Sequence, residues 1–173
     1  MKIRILGCSG VGKTYAACRL STRLNCRYFE LDHIQFDMRG CESITRRTDE
    51  VRDKLLHHAL SYDSWVIEGN HFGDWCFATV NDADLLIVMN SHRYIRAYRI
   101  IGRFIKRKLG LIHDIRADIR HLVKMLRYNH DFDRKYSVIM MEKLSGHSDK
   151  LFFCNNYDDV CRAVGKYVPS LNN

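Results

Sequence analysis

Residues Gly7–Thr14 read GCSGVGKT, preceded by the apolar run Lys2–Leu6 and followed by YAACRLSTRL, which has helical spacing. The octapeptide fits GxxxxGK[ST] in full, the pattern of a loop that wraps a phosphate between a strand and a helix. Glycines at 7, 10 and 12 admit backbone conformations closed to other residues, so successive N–H groups can turn inward. The helix beginning near Lys13 adds the positive end of its dipole. Lys13 is placed to reach the outer phosphates of a triphosphate and Thr14 to coordinate Mg²⁺. The expected nucleotide contacts are therefore Gly7, Cys8, Ser9, Gly10, Val11, Gly12, Lys13 and Thr14, with ATP and Mg²⁺ as cofactors. Cys8 lies inside the loop, so its oxidation is expected to hinder ATP binding.

Outward from the loop, short apolar runs alternate with longer amphipathic stretches. Strands are expected at Lys2–Leu6, Arg27–Leu31, Ser64–Glu68, Asp84–Met89 and Lys150–Cys154. Helices are expected at Lys13–Leu24, about Arg46–Leu60, Ser91–Lys108, Asp114–Tyr128, Phe132–Leu144 and Asp158–Tyr167. Val51, Leu55, Leu56, Ala59 and Leu60 recur near the helical period, as do Ile115, Ile119, Leu122, Val123 and Leu126. Such alternation predicts an α/β fold, a parallel sheet of five strands with helices on both faces, in three layers. No repeat, low-complexity tract or linker interrupts it, so residues 1–173 are expected to form one domain.

The net charge of +8 is concentrated rather than spread. Residues 93–135 hold 13 Lys+Arg against 4 Asp+Glu, whereas the rest of the chain holds 15 against 16. A local positive field implies an anionic partner at that place, nucleotide phosphates or nucleic acid. No stretch free of charged residues exceeds 8 residues, far short of the roughly 20 that cross a bilayer. The first residues lack an apolar signal region. The seven cysteines form no CxxC pair and no zinc spacing, which points to reduced thiols and a cytoplasmic location.

What happens to the phosphate depends on residues outside the loop. No NKxD guanine reader is present, the one DxxG, Asp37–Gly40, lacks an apolar strand before it, and no LSGGQ signature is visible. The parts of a small kinase are present instead. Asp32, in RYFELDHIQFD, ends the second strand at the carboxyl edge of the sheet, where ligands bind in open α/β folds. There a carboxylate can orient or deprotonate an acceptor hydroxyl or hold water on Mg²⁺. Glu68, in SWVIEGNHF, ends the third strand and is placed to complete a magnesium shell, so the expected metal residues are Thr14, Asp32 and Glu68. Asn90, closing the fourth strand, is expected to cap the helix at Ser91. Arg96, Arg99, Arg103 and Arg107 share one helix face, and Arg116 and Arg120 continue the basic pattern. Four cations on one face call for an anion, and arginines closing over a transferred phosphoryl group stabilise its charge. Residues 93–135 thus form an expected lid.

Together, GCSGVGKT, ELDHIQFD, WVIEGNHF and ADLLIVMN followed by an arginine helix resemble the adenylate-kinase-like small P-loop proteins of the DNA topology modulation branch. The resemblance runs from Met1 to LFFCNNYDDVCRAV. It implies a nucleoside-monophosphate-kinase core with strand order 2-3-1-4-5. It also implies Asp32 and Glu68 beside metal and acceptor, Arg99 and Arg103 in the lid, and Asn155 and Asn156 near the adenine. Two departures stand out: Asn90 where the branch has Asp, and no tryptophan or proline directly after Asp32. The resulting expectation is an ATP-dependent phosphotransferase acting on a nucleoside, nucleotide or other small acceptor. Catalytic roles fall to Lys13, Asp32, Arg99 and Arg103, and Arg107 and Asn155 complete the nucleotide site. Arg46 or Arg47 holding an acceptor phosphate would make that acceptor a monophosphate. The alternatives are an ATP-dependent nucleic-acid-binding protein that uses residues 93–135, and a nucleotide binder without transfer activity.

Overall fold

A computed structural model describes residues 1–38, 44–112 and 118–167. Gly40, Cys41 and Arg116 lie outside the described residues, as do 113–117, where the helix expected over Asp114–Tyr128 begins.

Five apolar runs form one parallel sheet: Lys2–Gly7, Arg27–Glu30, Trp65–Glu68, Leu85–Met89 and Leu151–Cys154. In space the second strand lies beside the third, the third beside the first, the first beside the fourth and the fourth beside the fifth. The first strand is central, with Ile3 opposite Val66 on one side and Leu85 on the other. A strand flanked by two parallel neighbours needs apolar side chains on both faces. Ile3, Ile5, Ile67, Leu85, Leu86 and Ile87 accordingly have no exposed surface, and each stabilises the fold by roughly 1.5–3 kcal/mol through burial. Two strands not legible in the sequence, Phe36–Asp37 and Thr45–Arg46, form a separate antiparallel pair. At two residues each they carry no readable period. Counting them along the chain turns the order of the main sheet into 2-5-1-6-7.

The helix after the loop, Lys13–Leu24, matches its expected limits. The next long helix is Asp49–Leu60 rather than starting at Arg46, because Arg46 is spent on the short strand pair. Asp49 and Glu50 then occupy its first turn, where negative charge meets the helix dipole. The arginine helix spans Arg93–Lys108, and His92, not Asn90, stands at its N-cap. Asn90 instead accepts from the Ser91 N–H at 2.9 Å and from Arg96 Nη1 at 2.8 Å through its Oδ1.

The break expected between Tyr128 and Phe132 is absent. The helix Ile119–Asp131 passes through a π-helical turn, Phe132–Tyr136, into Ser137–Leu144. The polar residues of YNHD seem to interrupt the pattern because Asn129 is buried for a reason of its own: its Oδ1 accepts from Arg96 Nε at 2.6 Å and its Nδ2 donates to the Arg93 carbonyl at 3.0 Å. The last helix, Tyr157–Gly165, is capped by the Asn156 side chain, which accepts from the Asp159 N–H. Among the described residues no helix is long and apolar enough to cross a membrane.

Candidate active site

The phosphate-binding loop leaves the central strand through Gly7, with φ +139°, and turns at Gly10, with φ +83°. A Cβ on Gly7 would lie 2.2 Å from the Met89 carbonyl oxygen, and one on Gly10 2.8 Å from that of Arg96. Both conformation and space therefore demand glycine. Among the described residues the N–H groups of Ser9, Gly10, Val11 and Gly12 meet no acceptor in the protein. Lys13 is buried, and the only hydrogen bond of its ammonium there is a 3.0 Å donation to the Cys8 carbonyl. Burial lowers its pKa, while Glu68 and Asp32 act in the opposite direction. A row of unspent donors beside a buried, under-partnered ammonium is chemically complementary to a polyphosphate.

The arginine helix packs directly on this loop, and its cations are put to different uses. Arg96 has no exposed surface. Its guanidinium is met by Asn90, the Ser91 carbonyl, Asn129 and, at 2.7 Å, Asp133 of the π-helical turn. The anion answering that member of the basic face is thus a residue of the chain. Arg99 Nη1 donates to the carbonyls of Gly10 and Val11, at 3.1 and 3.0 Å, so it braces the loop from behind. Arg103 is exposed on the same helix and has no partner among the described residues.

Two carboxylates stand at the carboxyl edge of the sheet, as their positions predict. Glu68 is buried, and its Oε1 accepts from the Thr14 hydroxyl at 2.7 Å. Asp32 lies one residue past the second strand, in the short helix Leu31–Gln35, and its Oδ1 is 2.8 Å from His71 Nε2. That hydrogen bond holds the Asp32 carboxyl below its ordinary value, with Lys13 and His33 contributing to the same effect. No group of three or more His, Cys, Asp and Glu able to hold a metal occurs among the described residues. The Thr14–Glu68 pair beside Asp32 suits Mg²⁺, which takes most of its ligands from phosphate and water.

His71 is kept in place by an unexpected residue. Arg4, inside the central strand, is fully buried and uses all five N–H groups. They go to Thr79 Oγ1 and to the carbonyls of Ile5, Ile67, Gly69 and His71. Burial lowers its pKa to about 10, which leaves it charged at neutral pH. The charge thus fastens the Gly69–His71 backbone to the sheet.

A cavity of about 800 Å³ opens over these groups, lined by Lys13, Thr14, Asp32, Glu68, His71 and Arg103 among others. A second, of about 580 Å³, lies on the other side of the loop against Tyr98, Arg99, Arg103, Asn155 and Asn156. The Asn156 side chain is engaged as a helix cap, while Asn155 is exposed there. Arg107 lines a third, of about 480 Å³, with Ser9, Asp32, Asp118 and His121 rather than with Asn155. Arg103 lines all three. His71, Trp75 and Tyr136 were not singled out by the sequence, nor was Arg4. The signal for Arg4 is a cation between Ile3 and Ile5 in a strand otherwise read as buried.

Cys8 is fully buried, its thiol 3.8 Å from Asn129 Oδ1, and burial raises its pKa. Burial thus withholds Cys8 from reagents in solution, since the reactive species is an accessible thiolate. Brief treatment with iodoacetamide at neutral pH is expected to label the exposed Cys18. It should spare Cys8, Cys76 and Cys154, the last with a pKa pushed up to about 11. Peptide mass spectrometry reads the pattern, and ATP affinity should not change.

No protein-family model matches the sequence, and no curated protein matches it. Among solved structures the chain is similar to a shikimate kinase from Bacteroides thetaiotaomicron, at 15% identity over 100% of this chain and 99% of that one, with a TM-score of 0.50. It also matches a gluconokinase from Sinorhizobium meliloti 1021, at 14% identity over 85% of this chain and 97% of that one, with a TM-score of 0.42. At such identity the first likeness is one of fold, and the chain shares the three-layer α/β fold of that structure.

Proposed function

We propose that the chain is an ATP-dependent phosphotransferase that phosphorylates a hydroxyl group of a small molecule. The observation that carries this reading is Arg103, a guanidinium without a partner among the described residues that lines both the cavity holding the Asp32–His71 pair and the cavity on the far side of the phosphate loop. A cation placed where a nucleotide side and an acceptor side meet is suited to charge that develops on a group passing between them.

The loop N–H groups and Lys13 bind the phosphates, and Asn155 with Tyr98 borders the space for the base. ATP supplies the phosphoryl group; Thr14, with Glu68 and Asp32 near by, would hold Mg²⁺, which would supply neutralisation of charge on the phosphates. Asp32 orients the acceptor hydroxyl and takes its proton as the new O–P bond forms and the bond between the γ-phosphorus and the β-phosphate oxygen breaks, with ADP leaving. His71 aligns that carboxylate, and Arg99 acts as a positioning residue by holding the loop carbonyls. The DNA topology modulation branch remains the resemblance of the motifs. A nucleic-acid surface on residues 93–135 has less to draw on, since Arg96 and Arg99 are spent within the chain.

Coupled measurement of ADP release with a panel of small alcohols tests the reading. An acceptor should raise turnover well above the bare ATPase rate, and if none does the reading fails. Asp32→Asn should lower kcat with that acceptor by roughly 10²–10³-fold, the usual worth of a general base, with ATP affinity retained. Because His71 holds the Asp32 carboxyl low, the base is ionised at neutral pH, and activity is lost only as pH falls through that lowered pKa. In His71→Asn the loss should begin at higher pH, a shift that a change in packing alone would not produce.

A further inference from the structure

Phe72, Trp75, Tyr128, Tyr136 and Ile139 form an apolar, mostly aromatic part of the lining of the large cavity. From this wall we infer that the acceptor is an uncharged alcohol carrying a planar ring, as in a nucleoside. The inference rests on the phosphotransferase reading and names the acceptor of that same cavity.

Charge is the first discriminator. Three carboxylates line the cavity, those of Glu30, Asp32 and Glu68, against the cations Lys13, Arg103 and Lys143. Lys13 and Arg103 belong to the transferred phosphoryl group. Lys143 Nζ is 3.1 Å from Asp74 Oδ1 and is already answered. The two arginines expected to hold an acceptor phosphate do not line any of these cavities. Arg47 pairs with Asp37 at 3.2 Å and Arg46 with Asp49 at 3.6 Å. Among the described residues, a phosphate or carboxylate on the acceptor would thus meet aromatic rings and carboxylates with no cation left to answer it, an arrangement that disfavours burying a charge. An ammonium group fares no better at Trp75, because the Arg52 guanidinium already lies 5.1 Å from the centre of that ring.

Shape is the second discriminator. A volume of about 800 Å³, shared with the phosphoryl group beside Lys13 and Thr14, still leaves the space that a ring-bearing acceptor fills. Its aromatic walls are held rigidly. Trp75 lies between Arg52, itself fixed by Asp49 and Asp53, and the His71 ring at 5.4 Å. Tyr136 is brought within 4.6 Å of Tyr128, ring centre to ring centre, by the π-helical turn between them. Tyr128 is tied to the strand edge by its hydroxyl, which accepts from Asn70. Flat surfaces fixed before binding favour a flat partner, since little freedom is left to lose.

The test combines transfer and binding. With ATP and Mg²⁺, adenosine and uridine should show kcat/KM at least about 10-fold above AMP, UMP, a sugar acid and choline. Adenosine alone should quench tryptophan fluorescence. Trp75→Leu should raise the nucleoside KM about 10-fold, the scale of one aromatic contact with its buried area, with ATP affinity unchanged. Tyr136→Leu should act in the same direction and serves if Trp75→Leu does not fold. A preference for the monophosphates, the sugar acid or choline overturns the acceptor class while leaving the phosphotransferase reading intact. If no acceptor stimulates ADP release, that reading fails and the quenching decides the class alone. Quenching by adenosine but not by AMP upholds it, and equal quenching or none overturns it.

Discussion

Replacing Lys13 with methionine is expected to lower phosphoryl transfer by roughly 10²–10³-fold, the usual loss for one preorganised electrostatic contact to the reacting group, while the protein stays as stable as before or becomes more so. The two halves of this expectation have one cause. Among the described residues, buried Lys13 has a single hydrogen bond, to the Cys8 carbonyl, and no carboxylate within ion-pair distance. Its desolvation is therefore poorly compensated in the free protein, as its lowered pKa records. Removing such a charge relieves the folded state. The same under-partnered ammonium is what a phosphate would complete, so the loss falls on nucleotide binding and transfer. Calorimetric titration with ATP and thermal melts of both proteins check the two halves separately. A variant that melts far below the parent, or that transfers phosphate at the parental rate, would contradict the assignment.

Arg4→Met should do the reverse and cost stability, about 3–5 kcal/mol, the scale of removing one partner from a buried charged network. For a chain of this size that corresponds to a fall of roughly 10 °C or more in Tm. Arg4 is more deeply buried than Lys13 but has every N–H satisfied. Methionine has similar length and no donor. The Ile5 carbonyl keeps the Gly69 N–H at 3.2 Å, but those of Gly69 and His71 would be left buried or forced to move, at roughly 1–3 kcal/mol each. The segment bearing His71 would loosen, so activity should fall even well below the melting temperature. Thermal unfolding and hydrogen exchange at the amides of residues 69–72 measure the two effects. Unchanged exchange there would mean that the segment is held by other contacts.

Lys13 and Arg4 show how far residue type alone carries. Lys13 was legible because its role is local: a loop closed by glycines between a strand and a helix needs only consecutive residues. The arginine stripe was legible as a pattern, but the use to which Arg96 is put was not. Its spacing marks a helix face, but no spacing shows that Asp133 and Asn129 lie opposite, 37 and 33 residues later. Asn90 was misread for the same reason, since its partner Arg96 lies on the next element. His71 stood in the quoted EGNHF, yet nothing in that string brings it to Asp32, 39 residues earlier.

By itself, then, the sequence determined the phosphate loop, the five-stranded α/β class and the two carboxylates at the sheet edge, all features set by short-range periodicity and by where a strand stops. Tertiary structure alone decided which of the described arginines are answered within the chain, and that aromatic rings gather on one side of the large cavity. A charge is spent or unspent, and a cavity polar or apolar, only through neighbours that strand order and helix packing bring from distant parts of the chain.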